Sequence, residues 1–109
     1  MKRGDIALLV VPGYLGRPRP GVIVQANELG PNTTTVLVCP ISSHIDEKLP
    51  IRPIVDPGPD NGLRLRSQIM TDKMLALRRE GIRNVIGTLD VAKAEELDQA
   101  MLVVLGLAR

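Results

Sequence analysis

Apolar positions along this chain fall into short, β-branched runs interrupted by proline, glycine and asparagine, and a helical repeat emerges only near the C-terminal end. Asp5 to Val11 reads as a first strand and Gly21 to Gln25 as a second, with Pro12-Gly-Tyr-Leu-Gly-Arg-Pro-Arg-Pro20 as a shaped loop between them. Residues 27–32, containing Gly30-Pro31, turn the chain into Thr33 to Ile41. Pro40 in that run predicts a sheet edge or a bulge, because proline has no N–H to give to a ladder. A short strand around Leu49 to Val55 follows, and Asp56-Pro-Gly-Pro-Asp-Asn-Gly62 has the composition of a turn. Leu63 to Met70 alternates apolar and polar with period two, which predicts a strand with one buried face and a second face carrying Arg64, Arg66 and Gln68. Thr71 to Lys73 reads as a turn; Leu75 to Leu89 is ambiguous, although Asn84 to Thr88 has the look of one more short strand. Asp90 then predicts an N-cap, with Val91, Ala94, Leu97, Met101, Val104 and Leu105 at helical spacing and an end near Gly106.

Five or six short strands and one terminal helix predict a mostly β fold, a small, curved antiparallel barrel with the helix laid against it. At 109 residues, one domain spanning 1–109 is expected, with no internal repeat. Composition narrows what such a barrel does. Tyr14 is the one aromatic residue, so the core is aliphatic and base-stacking platforms are nearly lacking, which argues against RNP-type and OB-type nucleic-acid binders. Cys39 and His44 are each the single residue of their type, which leaves neither an intrachain disulfide nor a Cys/His zinc cluster, and no metal or other cofactor is expected. The apolar run Ile6 to Val11 is far short of the ~20 residues that a membrane span needs, so a cytoplasmic protein with no membrane association is expected. Charge is unevenly spread: residues 1–89 hold 12 Lys and Arg against 8 Asp and Glu, whereas residues 90–109 hold 2 against 4. Ten of the 14 basic residues are Arg, whose planar fork suits phosphate.

One pair of residues acquires a position from strand geometry alone. If Gln25 lies opposite residues 34–36, antiparallel pairing carries Arg19 opposite residues 40–42, with cross-strand Cβ atoms about 5 Å apart. Arg17 and Arg19, stiffened by Pro18 and Pro20, then stand beside the hydroxyls of Ser42 and Ser43, where a phosphodiester would fit. The plainer alternative is a surface salt bridge at Arg19 and a turn cap at Ser42.

Taken together, Lys2-Arg-Gly-Asp-Ile6, Arg19-Pro-Gly-Val-Ile-Val-Gln25, Cys39-Pro-Ile-Ser-Ser43, Ser67-Gln-Ile-Met-Thr71 and Gly87-Thr-Leu with its helix resemble the MazF/PemK family, in order and over nearly the whole chain. The resemblance implies an SH3-like (CcdB/MazF-type) barrel, a homodimer, and a toxin of a bacterial type II toxin–antitoxin pair. It also implies cleavage of single-stranded RNA at short sequences without a metal, and a MazE-like antitoxin as partner. Arg19 matches the family's catalytic arginine at the start of the second strand, and Ser42 the catalytic Thr or Ser at the end of the third. Ser43 matches the residue after it; Gln68 and Thr71 match a Gln-x-x-Thr in the following strand. The first loop departs from the pattern, being short, proline-rich and marked by Tyr14 where many members carry a longer loop with acidic residues and extra glycines.

Cleavage by the RNA's own 2′-OH needs in-line geometry and neutralisation of the phosphorane, which a bidentate Arg and a hydroxyl donor supply. Arginine is a poor base. His44 serves as proton acceptor if its ring turns inward, and is otherwise a solvated loop histidine. Arg64 and Arg66 extend an RNA groove, dock an acidic antitoxin segment, or form a solvated face. Arg78, Arg79 and Arg83 read as solvated charge, Cys39 as a buried strand residue, and Asp5 as a turn former. Two other functions fit the same barrel: a CcdB-like gyrase poison, disfavoured because the chain ends Val104-Leu-Gly-Leu-Ala-Arg109 without a Trp, and a non-catalytic binding module.

Overall fold

The computed structural model describes residues 1–13 and 16–108. Among these described residues seven strands, β1 (Asp5–Leu9), β2 (Arg19–Ile23), β3 (Thr35–Ser42), β4 (Ile54–Val55), β5 (Ser67–Ile69), β6 (Leu75–Arg78) and β7 (Ile82–Thr88), precede the helix α1 (Val91–Val104). All pairings are antiparallel, in the order β4-β5-β3-β2-β1-β7, with β6 also laid along β3. The result is a curled, half-barrel sheet with one C-terminal helix.

The period of two along the strands sorts their side chains into two cores. Ile6, Val22, Cys39 and Ile41 join Leu97 of α1 in one cluster, while Ala7, Leu9, Ile23, Val36 and Val38 join Leu77 in the other. With apolar groups covered on both faces, β1, β2 and β3 read as continuous apolar runs rather than alternating ones. Gly21 is required by this packing, since a Cβ there would overlap the Leu9 side chain.

Pro40 lies neither at an edge nor at a bulge, contrary to expectation. It is paired with Gly21 on one side, and on the other it marks the point where the partner of β3 changes from β6, at Thr35 to Val38, to β5, at Ile41 and Ser42. At that changeover the missing N–H orphans no ladder, and the Pro40 carbonyl still accepts from Met70 N–H at 2.8 Å.

The strand expected over Leu63 to Met70 shrinks to Ser67–Ile69, and its alternation fails, because Ser67, Gln68, Ile69 and Met70 are all buried. Arg64 and Arg66 lie instead in the bend before it. The ambiguous stretch from Leu75 resolves into β6 and β7. The 56–62 turn is held by Asn61, whose Oδ1 accepts from Gly58 and Leu63 N–H at 3.1 and 3.0 Å.

The helix follows its sequence signals closely. Asp90 caps it through Oδ1, accepting from Lys93 N–H at 2.8 Å. Of the predicted stripe, Leu97 is buried and Ala94 and Met101 pack on the core, but Val91 and Leu105 at the ends are 76% and 54% exposed. Leu102, Val103 and Leu107 are exposed as well.

Candidate functional site

The β2–β3 register, Gly21 with Pro40 and Val22 with Cys39, carries Arg19 opposite Ser42 when continued two residues toward the strand ends. Arg19 is fixed on its other side by pairing with Leu9 of β1. The expected juxtaposition is therefore present, and it opens onto a groove of about 600 Å³. Leu8, Pro20, Pro40 and Ile86 form apolar walls, and the polar lining comes from Arg19, Ser42, Ser43, Arg64, Ser67 and Lys73. Among the described residues that line it there is no carboxylate and no histidine. Three cations set among low-dielectric walls focus a positive potential on whatever enters.

Two turns shape the mouth. In the first, Ser42 Oγ accepts from His44 N–H at 3.1 Å, while its own distance to the His44 carbonyl is 3.5 Å. That second separation is too long to hold the hydroxyl proton, which stays available to a ligand. In the second, Gly62 adopts φ 70°, and a Cβ at that position would collide with the Ile86 main chain, so glycine lets the 60–63 segment lie flat on β7.

The other expected site residues divide. Ser43 and Arg64 reach the groove. Arg17 is exposed on the approach to β2 and is not among the lining residues, and Arg66 pairs with Asp56 at 3.2 Å outside it. His44 is exposed and meets Ser42 through its main chain. Gln68 and Thr71, 1% and 0% exposed, face away from solvent altogether. Thr71 Oγ1 donates to the Ile51 carbonyl at 2.6 Å, and Gln68 Oε1 accepts from Asp46 N–H at 3.1 Å and from Arg52 Nη1 at 2.9 Å. They bind the β3–β4 connection to the barrel. The first-loop departure centres on Tyr14 and Leu15, which lie outside the described residues.

Sequence reasoning missed Lys73 and Arg52. Lys73 was read only as part of a turn, yet the short 3₁₀ turn Thr71–Lys73 after β5 delivers it to the groove. The Arg52 side chain, 8% exposed, grips Asp72 with two bonds of 2.7 and 2.9 Å. That fork raises the Arg52 pKa and holds the Asp72 carboxyl below its usual range. Burial pushes the Cys39 thiol up to about 12, far from a reactive thiolate. Asp5, also buried, accepts from Lys2 N–H at 2.8 Å, the turn-forming role expected of it. Among the described residues no group of His, Cys, Asp and Glu is arranged to hold a metal ion.

Comparison with known proteins bears on the family and the fold. The chain is 33% identical over 109 residues, 99% of each chain, to a Mycolicibacterium smegmatis protein named "Probable endoribonuclease MazF". Its fold matches the Mycobacterium tuberculosis toxin MazF-mt6 with a TM-score of 0.82 at 23% identity, covering 96% of this chain and 99% of that one. A mycobacterial endoribonuclease solved in complex with its cognate antitoxin matches with a TM-score of 0.82 at 21% identity, over 100% of this chain and 98% of that one. The family of PemK-like, MazF-like toxins of type II toxin–antitoxin systems matches residues 2–105, and the chain belongs to it.

Proposed function

We propose that residues 1–109 act as one toxin domain, a sequence-specific endoribonuclease that cuts single-stranded RNA, mRNA included, and so inhibits translation and growth. The observation that carries this reading is the meeting of Arg19 and Ser42, from neighbouring strands, in a groove whose described lining holds three cations and no carboxylate.

In the reaction the ribose 2′-oxygen attacks the adjacent phosphorus and the P–O5′ bond breaks. The products are a 2′,3′-cyclic phosphate and a 5′-OH. Charge accumulates on the non-bridging oxygens, where the Arg19 fork binds two at once and the Ser42 hydroxyl donates to one. Arg64 and Lys73 hold flanking phosphates. With His44 outside the groove lining, the 2′-OH proton passes to water and the leaving 5′-oxygen takes one back, so the site contributes charge stabilisation and alignment rather than a side-chain base. No metal or cofactor enters the scheme.

A MazE-like antitoxin is the partner that restrains this activity, in keeping with the relative solved together with its cognate antitoxin. A disordered acidic segment folding across the cationic groove would block the same phosphate sites. The exposed apolar ends of α1, Val91, Leu102, Val103 and Leu105, support a homodimer, in which a two-fold axis covers what one copy leaves open. Cytoplasmic mRNA is the substrate, so the protein works in the cytoplasm; among the described residues no helix is long and apolar enough to cross a membrane.

Incubating the purified protein with end-labelled RNA in EDTA tests the reading. Fragments ending in 2′,3′-cyclic phosphate and 5′-OH are expected, and a deoxyribose placed before the cut should block them. Intact RNA, as a CcdB-like gyrase poison or a non-catalytic barrel would leave it, overturns the proposal, as does cleavage of an all-DNA strand.

A further inference from the structure

Behind the groove, on the opposite side of β5, lies a chain of contacts that uses none of the groove cations. It starts at Asp72, whose carboxylate takes Nε and Nη2 of Arg52 at 2.7 and 2.9 Å. The third guanidinium nitrogen, Nη1, donates to Gln68 Oε1 at 2.9 Å. That oxygen also accepts from Asp46 N–H at 3.1 Å, and the Gln68 amide nitrogen lies 3.4 Å from the Asp46 carbonyl. Two donors converging on one oxygen fix which way the Gln68 amide faces. In the sheet, Gln68 is the register partner of Ser42.

Gln68 therefore touches the 42–46 segment twice, by main-chain pairing at Ser42 and by its side chain at Asp46. Between those two anchors lies the turn in which His44 N–H donates to Ser42 Oγ. We infer that Arg52, clamped by Asp72 and braced on Gln68, is the positioning residue that sets the Ser42–His44 turn at the mouth of the groove. The inference rests on the endoribonuclease reading for its catalytic consequence, but not for its structural one. Lysine cannot replace arginine here, because a single ammonium does not span the two Asp72 oxygens and the Gln68 carbonyl oxygen in one plane. The Asp72 side chain is 35% exposed and lies next to Lys73, so the same clamp ties one groove cation to the turn that carries the groove hydroxyls.

Hydrogen exchange measured residue by residue on the full chain separates local positioning from general support. In Arg52→Lys the amides of His44 and Asp46 should exchange at least about ten-fold faster, as expected when a local opening becomes easier. The Val24 amide, bonded to the Leu37 carbonyl at 3.0 Å at the far end of β3, should keep its protection. Asp72→Asn, which leaves Arg52 in place, should give a smaller change in the same two amides. On RNA, Arg52→Lys should lower kcat by about ten-fold with KM within two-fold, since Arg19 and Arg64 are not held by the clamp and Lys73 keeps its charge. Unchanged exchange at His44 and Asp46 in folded Arg52→Lys overturns the inference. So does a uniform loss of protection that includes Val24, or failure of both variants to fold, each of which makes Arg52 a general support. If the wild-type protein cuts no RNA, the enzymatic reading fails while the exchange result still decides the positioning role.

Discussion

Arg19 and Arg52 are the same side chain set in opposite surroundings. Arg19 is exposed at the start of β2, in a groove whose described lining has no carboxylate, whereas Arg52 is nearly buried and grips Asp72 with both arms of its fork. The Arg52 guanidinium has spent its donors on Asp72 and Gln68 and works as cement. Arg19 opens instead onto a groove also lined by Arg64 and Lys73, where a bound phosphate would meet its fork. What separates the two settings is the neighbour the fold brings up, and the residues flanking Arg52 do not announce it.

The sharpest way to break this contrast is to remove each arginine and read activity and stability together. Arg19→Ala is expected to lower kcat/KM for RNA by about 10³-fold or more, in line with loss of a donor to developing charge, and to shift the melting temperature less than Arg52→Ala does. Ser42→Ala should cost about 10²-fold by the same measurement.

Arg52→Ala reverses the emphasis. Removing a charged donor from Asp72 and Gln68 is expected to cost about 2 kcal/mol, seen as a melting-temperature drop of roughly 10 °C. The Asp72 carboxyl sits below its ordinary 3.8 in the folded protein, so the clamp's contribution is complete above about pH 4 and disappears as pH falls through the lowered value. The melting gap between wild type and Arg52→Ala should therefore narrow below pH 4 to the part carried by the Gln68 bond; a gap that stays constant would mean that the Asp72 pairing contributes nothing.

A smaller effect sharpens the description of the groove. Lys73→Gln should raise KM a few-fold and lessen the slope of log affinity against log salt by about 0.7, the loss of one phosphate contact to a single strand. A slope equal to wild type would remove Lys73 from the binding surface.

The smallest effect concerns Cys39. Its thiol, pushed from 9.0 to about 12 by burial, favours the folded state less as pH rises above 9, because only the unfolded chain can then ionise it. Wild type should lose about 1 kcal/mol more than Cys39→Ala between pH 8 and pH 10, read from paired denaturant titrations.

These contrasts also indicate how far the sequence was readable. Arg19 and Ser42 could be brought together because β2 and β3 are consecutive antiparallel neighbours, so that one assumed pairing at Gln25 fixes the rest of the register by counting. The helix was legible from Asp90 and Leu97 because cap and spacing are properties of consecutive residues. Gln68 was placed on a solvated basic face because alternation in a single strand cannot reveal that the 43–53 connection folds over and covers it. Arg52 was invisible for the related reason that its pairing with Asp72 spans 20 residues and leaves no periodic trace. Pro40 misled because its neighbour changes along one strand, a tertiary fact.

The central claim is that the Arg19–Ser42 groove is where RNA lies. Titrating the isotope-labelled protein with a single-stranded RNA made uncleavable by 2′-O-methyl groups tests it directly. Saturable shifts at the amides of Ser42, Ser43, Leu65 and Lys73, weakened strongly in Arg19→Ala, are the predicted result. Shifts confined to α1, or binding equally tight without Arg19, would contradict it.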